Sequence, residues 1–137
     1  MYIKELTNEE FNNFTAEFPY KTFYQTPEYA FVMSREKNEV FLLGLVDDKY
    51  VLAAAIIIVE KRNGFKYAYT PRGFLINFND YTLLEQFTKL LKEFLGKKDI
   101  VALRINPMII KSIYNNNKQV IYQNKHYNVY VNIHLLN

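Results

Sequence analysis

Residues 67–80 read YAYTPRGFLINFND, and the fold turns on how that stretch is taken. Tyr67 and Tyr69 alternate with Ala68 and Thr70 at the period of two that marks a strand. Pro71, Arg72 and Gly73 then end it, since proline presets a turn torsion and glycine tolerates tight backbone geometry. A second apolar run fills residues 74–78, and Asp80 stands where a helix N-cap belongs. A turn accounts for Pro71 and Gly73 but gives no reason for the guanidinium between them.

Upstream, Asn63-Gly64 is a strong hairpin signal and makes residues 65–70 the partner of a strand over 50–60. That strand contains VLAAAIIIV (51–59), continuous rather than alternating, as expected when both faces are buried. It is also far shorter than the roughly 20 apolar residues a membrane-spanning helix needs. Asp47-Asp48-Lys49 forms the turn back to a strand over 40–46. Further upstream, Thr7 and Glu10 have capping-box spacing, and Phe11, Phe14 and Phe18 share one helical face, so a helix is expected over 7–18. Thr26 as N-cap with Pro27 at the first helical position opens a second helix, which buries Tyr29, Ala30 and Met33 and ends before Asn38.

Downstream of Asp80, Leu83, Leu84, Phe87, Leu90, Leu91 and Phe94 line one side of a long helix stopped by Gly96. A strand over 99–105 is broken by Asn106-Pro107. A short helix near 108–115, a turn at 115–117, and strands over 120–123 and 128–135 complete the chain. The order is ααβββαβαββ, an α/β mixed-sheet single domain spanning 1–137. That order suggests the acyl-CoA N-acyltransferase (GNAT-like) fold.

Composition narrows the chemistry. Half the residues are hydrophobic and 23% are charged, which fits a packed core and argues against general disorder. The formal charge of +3 permits phosphate contact without demanding it, and no basic cluster points to DNA. The absence of cysteine excludes disulfides, thiolate catalysis and cysteine zinc sites. The polar start, MYIKELTNEE, is no signal peptide, and a soluble cytoplasmic protein without a transmembrane segment is expected. His126 and His134 lack short-range metal spacing, so no metal is expected. Ser34 and Ser112 have no nucleophile motif around them. Glu9-Glu10 and Asp47-Asp48 read as a solvated helix start and a turn, and Lys97-Lys98 suits a helix C-terminus. Phe65, Tyr67 and Tyr69 read first as core or half-core residues, with a base-stacking platform as the sharper alternative. Coenzyme A requires a glycine-rich turn to cradle its pyrophosphate. The two candidate turns, Pro71-Arg72-Gly73-Phe74 and Ile105-Asn106-Pro107-Met108, hold one glycine between them, so no cofactor is expected.

Three phrases together resemble the Fem-type aminoacyltransferases that build peptidoglycan interpeptide bridges. FYQTPEYAFVM (23–33) is similar to their aromatic-Gln-Ser/Thr opening of the second helix. YAYTPRGFLINFND is similar to their Tyr-x-Pro-Arg-Gly-Pro segment, and ALRINP (102–107) to their Leu-Arg-Ile-Asp-Pro strand end. The match covers residues 1–107, and NVYVNIHLLN (128–137) resembles the strand that closes the family's first domain. The resemblance implies transfer of an amino acid from aminoacyl-tRNA to the stem peptide of a UDP-linked or lipid-linked muramyl precursor. It implies a two-domain enzyme of which this chain is the first domain, with tRNA engaged through the second and with room for peripheral membrane contact. On that reading Tyr69, Arg72, Gly73, Arg104 and Asn106 line the precursor cleft. A lysine that some relatives carry on the second helix falls at Phe31 or Met33 here, leaving Arg35 and Lys37 as the nearest cations.

Two departures bear on mechanism. Asn106 stands where some relatives have aspartate, and an amide orients a substrate without accepting its proton. Phe74 stands where the family has its second proline. The catalytic residue is therefore unassigned, and the chain alone is expected to be catalytically incomplete. A precursor- or partner-binding module without activity is the rival, followed by a coenzyme A-dependent N-acyltransferase. For Arg72 the alternative to an anion contact is a structural pairing with Asp80 or a helix-start carbonyl.

Overall fold

The computed structural model describes residues 1–36, 38–108, 112–123 and 135–136. Strand β1 (Tyr2–Glu5) is followed by helices α1 (Asn8–Ala16) and α2 (Pro27–Arg35), with a 3-10 turn at Phe23–Gln25 between them. Strands β2 (Glu39–Asp47), β3 (Tyr50–Arg62) and β4 (Phe65–Arg72) form an antiparallel meander. Helix α3 (Tyr81–Gly96) crosses over to β5 (Ile100–Pro107), which lies parallel to β4. Strands β6 (Ser112–Tyr114) and β7 (Val120–Gln123) make a separate two-stranded ribbon, and β8 (Leu135–Leu136) pairs with β5. The main sheet runs β1-β2-β3-β4-β5-β8, a mixed α/β arrangement.

Local chemistry explains most of these elements. Thr7 and Glu10 form the reciprocal capping box of α1. Thr26 Oγ1 accepts the Tyr29 N–H at the start of α2, with Pro27 where a missing N–H costs nothing. Asn63 and Gly64 both have positive φ, 51° and 84°, the left-handed geometry that a two-residue hairpin between paired Arg62 and Phe65 requires. An Asp80 carboxylate oxygen accepts the Leu83 N–H at 3.1 Å and caps α3. Asp80→Ala is expected to cost about 1 kcal/mol, read as a drop of a few degrees in thermal midpoint; an unchanged midpoint would show that the cap contributes nothing.

Strand β3 divides the core in two. Ala53, Ala55, Ile57 and Val59 face α3, where they pack with Phe87, Leu91 and Leu95. Ala54, Ile56 and Ile58 face the other way, onto Phe11, Ala30 and Leu75 under α1 and α2. Burial on both faces is why the β3 sequence is continuously apolar.

Three elements differ from the sequence expectation. The four residues of β1 are short and mostly exposed, with no apolar period; the unpaired edge of β2 makes them a strand. Strand β5 continues through Asn106 and Pro107, which pair with Pro71 and Arg72. Residues 112–114, expected in a helix, form β6. Asn115 closes the ribbon there, its side-chain oxygen accepting the Asn117 and Gln119 N–H groups and its own N–H reaching the Gln119 carbonyl. Most of the expected strand over 128–135 lies outside the described residues.

Candidate functional site

The site is built where β4 parts from β3. Their ladder runs to the Ile58–Tyr69 pair, and Pro71 brings no N–H to extend it. The chain turns at Arg72-Gly73 and returns at Leu75, which exchanges two backbone hydrogen bonds with Ala54 at 3.0 and 2.9 Å. The gap between these two contacts is filled by Gln25. Its Oε1 accepts the Ile56 N–H at 2.8 Å, while Nε2 donates to Thr70 Oγ1 at 3.1 Å and to the Pro71 carbonyl at 2.7 Å. Gln25 and Thr70 are 2% and 0% exposed, so these bonds are made out of water, where an unsatisfied amide would be costly.

Gly73 fits under this lock because it has no side chain. A Cβ there would stand 2.3 Å from Thr70 Oγ1 and 3.1 Å from Gln25 Nε2. Gly73 N–H donates to the Thr70 carbonyl. The Gly73–Phe74 peptide bond is cis. Phe74, the departure from the family's proline, is a core residue in edge contact with Phe87 at 4.9 Å between ring centroids. Arg72 itself has φ +57°, a left-handed conformation that costs a side-chain-bearing residue about 1–2 kcal/mol. Such a torsion persists only where its surroundings impose it.

On the α2 side of the sheet, Tyr24, Tyr29, Tyr69, Pro71, Arg72 and Asn106 enclose a cleft of about 240 Å³. The three quoted phrases thus meet at one place. Tyr24 and Tyr29 pack edge to face at 5.1 Å and form an aromatic wall. Burial pushes the Tyr29 phenol above its ordinary range, with Tyr24, Tyr69 and Glu36 adding to the effect, so it remains a hydrogen-bond donor at neutral pH. Among the described residues Arg72 forms no ion pair, and Asp80 is engaged in capping α3 instead.

The cleft continues along β4 and β5. The Arg104 guanidinium lies over the Tyr69 ring at 4.5 Å, and beyond it Glu60, Arg62, Asn63 and Tyr67 line a wider hollow of about 490 Å³. Pairing puts Tyr69 opposite Arg104 and Pro71 opposite Asn106, so these side chains share one face. Phe65 and Tyr67 are 56% and 40% exposed and lie outside the core, whereas Tyr69 is half-buried, as a half-core reading allows; the core is filled from β4 by Ala68 and Thr70. Among the described residues, Glu60 is the only carboxylate lining either hollow, and it is bound to Arg62 at 2.7 Å. Arg72 and Arg104 therefore give the trough an excess of positive charge.

Of the candidate residues, Tyr69, Arg72 and Asn106 line the cleft, Arg104 stacks beside it and Gly73 lies beneath it. Arg35 is on the last turn of α2, over Phe31 at 5.7 Å. Lys37, His126 and His134 lie outside the described residues. The sequence reading missed Tyr24, Tyr29 and Gln25 as site residues, although all three stand within the quoted FYQTPEY. Among the described residues no His, Asp and Glu cluster is placed to hold a metal, and no helix is long and apolar enough to cross a membrane.

Comparison with known proteins follows the same residues. Residues 6–136 match the FemAB family. Over 111 residues the chain is 30% identical to the aminoacyltransferase FemA of Staphylococcus aureus, covering 80% of this chain and 26% of that protein. It is 29% identical to FemA of Staphylococcus epidermidis over the same length, 27% of that protein. The crystal structure of FemX superposes with a TM-score of 0.70 at 20% identity, over 80% of this chain and 28% of that one. The chain thus spans about a quarter of the length of the relatives it matches. With the family matched from residue 6 to residue 136 and the fold shared with FemX, the chain belongs to the FemAB family.

Proposed function

We propose that this chain supplies the acceptor-binding cleft of a tRNA-dependent aminoacyltransferase acting on the stem peptide of a muramyl (peptidoglycan) precursor. The observation that carries the proposal is the meeting of Tyr24 and Tyr29, Tyr69 and Arg72, and Asn106 around one cleft whose arginine has no carboxylate partner among the described residues. A guanidinium fork suits a phosphate or carboxylate of the precursor, and the phenols hold the chain beside it. In the transfer, the stem-peptide amine attacks the aminoacyl ester carbonyl. The new amide bond forms as the ester C–O bond breaks, and the amine proton ends on the released tRNA hydroxyl. Asn106 can orient the amine or the carbonyl but takes no proton; positioning is the contribution expected of this cleft. Aminoacyl-tRNA itself would be engaged by parts of the enzyme homologous to the rest of the longer relatives.

Titration with UDP-linked muramyl pentapeptide tests this. Arg72→Ala should weaken binding about ten- to a hundredfold, the usual worth of a hydrogen bond to a charged group. Arg72→Lys should recover part of it, and rising salt should narrow the difference. Binding of acetyl-coenzyme A without binding of the precursor would overturn the reading. The turn argues against that outcome: Pro71 has no N–H, Gly73 N–H is spent on the Thr70 carbonyl, and the α3 N-terminus carries its own carboxylate.

A binding module without activity is favoured by one observation: among the described residues, no carboxylate lines the cleft. Precursor binding with no transfer from aminoacyl-tRNA, even when the regions of a longer relative that this chain does not match are supplied, would select it.

A further inference from the structure

We propose that Gln25 is a positioning residue for this cleft, acting through Arg72. The inference rests on the cleft being the precursor site.

Gln25 touches both walls. It directly follows Tyr24 and directly precedes Thr26, the residue that caps α2 and so fixes Tyr29. Its Nε2 holds Thr70 Oγ1 and the Pro71 carbonyl, the two residues that lead into Arg72. Its Oε1 anchors the whole arrangement to Ile56 at the centre of the sheet. The Pro71 carbonyl belongs to the peptide unit joined to the Arg72 nitrogen, so a bond to it restrains the φ +57° of Arg72 directly. Gly73, packed against Thr70 and Gln25, restrains the other side. Arg72 points its fork into the cleft only while both restraints hold. Without Gln25 the peptide unit can rotate, Arg72 relaxes toward an ordinary negative φ, and the aromatic wall loses its link to the basic one.

A residue that is only structural would lower stability and leave the affinity of the folded protein alone. A double-mutant cycle separates the two cases. Gln25→Asn keeps an amide in the same space but is one methylene too short to span both walls. It should bind UDP-linked muramyl pentapeptide about tenfold more weakly, whereas Gln25→Asn with Arg72→Ala should bind no more weakly than Arg72→Ala alone. Ile57→Val, buried on the α3 face, serves as the control for lost stability and should bind like the wild type. Additive losses, or equal losses in Gln25→Asn and the control, would overturn the proposal.

Two measurements cover the remaining cases. In the wild-type protein, coupling is reciprocal, so saturating precursor should slow hydrogen exchange of the Ile56 amide; unchanged exchange would overturn the proposal even if no Gln25 variant folds. If the wild type does not bind the precursor, the functional reading falls by itself. The φ of Arg72, from NMR scalar couplings in unliganded wild type and Gln25→Asn, then decides positioning: a positive φ kept in the variant overturns it, and its loss supports it.

Discussion

Phe87→Ala is expected to remove about 3–5 kcal/mol of stability and to lower the thermal midpoint by roughly 10–20 °C. Phe87 is fully buried on α3, and its ring meets that of Phe74 edge to face. Truncation therefore loses the transfer free energy of the ring, leaves a cavity between α3 and β3, and deletes an aromatic pair worth about 0.5–1.5 kcal/mol. Against a total of about 5–15 kcal/mol for an ordinary fold, little would remain. Phe87→Leu also loses the aromatic pair but keeps most of the volume, so it should cost clearly less than the alanine variant. Equal midpoints for the alanine and leucine variants in thermal or urea unfolding would sink the argument. The consequence extends beyond the core, because Phe74 follows Gly73 and Arg72: Phe87 is how α3 holds the far side of the turn that carries the cleft's cation.

The helices and central strands were legible in the sequence because their signals are local. Thr7 with Glu10, Thr26 with Pro27, Asn63-Gly64 and Asp80 each act within four residues, and each was found in its expected role. Strand β1 was not legible, since four mostly exposed residues carry no period and exist as a strand only through β2. Residues 112–114 were misread because their pairing depends on a turn chemistry centred on Asn115 rather than on apolar spacing. For the site, the sequence marked Tyr69, Arg72 and Asn106 but not what joins them. Gln25 bonds to residues 31, 45 and 46 positions away, and no local pattern announces such partners. The one available signal was the resemblance that singled out both the Gln phrase and the Pro-Arg-Gly phrase, and hydrogen bonds from Gln25 join the two. Phe74, the departure from the Pro-Arg-Gly-Pro phrase, is a buried core contact of Phe87. Tyr67 was read as core or half-core from strand alternation, which fixes that Tyr67 and Ala68 face opposite ways but not which face is covered. Helices α1 and α2 cover β2 and β3 and leave β4 and β5 open, so the tyrosines line a trough.

Gly73→Ala should be nearly as damaging as a core truncation, for a different reason. The added methyl would lie 2.3 Å from Thr70 Oγ1, a distance that real side chains do not tolerate, and 3.1 Å from Gln25 Nε2. Neither neighbour can yield cheaply. Thr70 is completely buried and Gln25 is held by three hydrogen bonds, so relief of the clash must break part of the lock. Overpacking of this kind costs about 1–3 kcal/mol, and an orphaned buried amide or carbonyl adds about 1–3 kcal/mol, for an expected loss of about 2–6 kcal/mol. The steric origin is testable by compensation. Thr70→Ala removes the atom in closest conflict, so the Thr70→Ala, Gly73→Ala double variant should be more stable than Gly73→Ala alone. Gln25 Nε2 would keep its bond to the Pro71 carbonyl in that double variant, so precursor affinity should recover along with the midpoint. A Gly73→Ala protein that melts with the wild type, or a double variant no better than the single one, would show that the space under Arg72 is not what requires glycine.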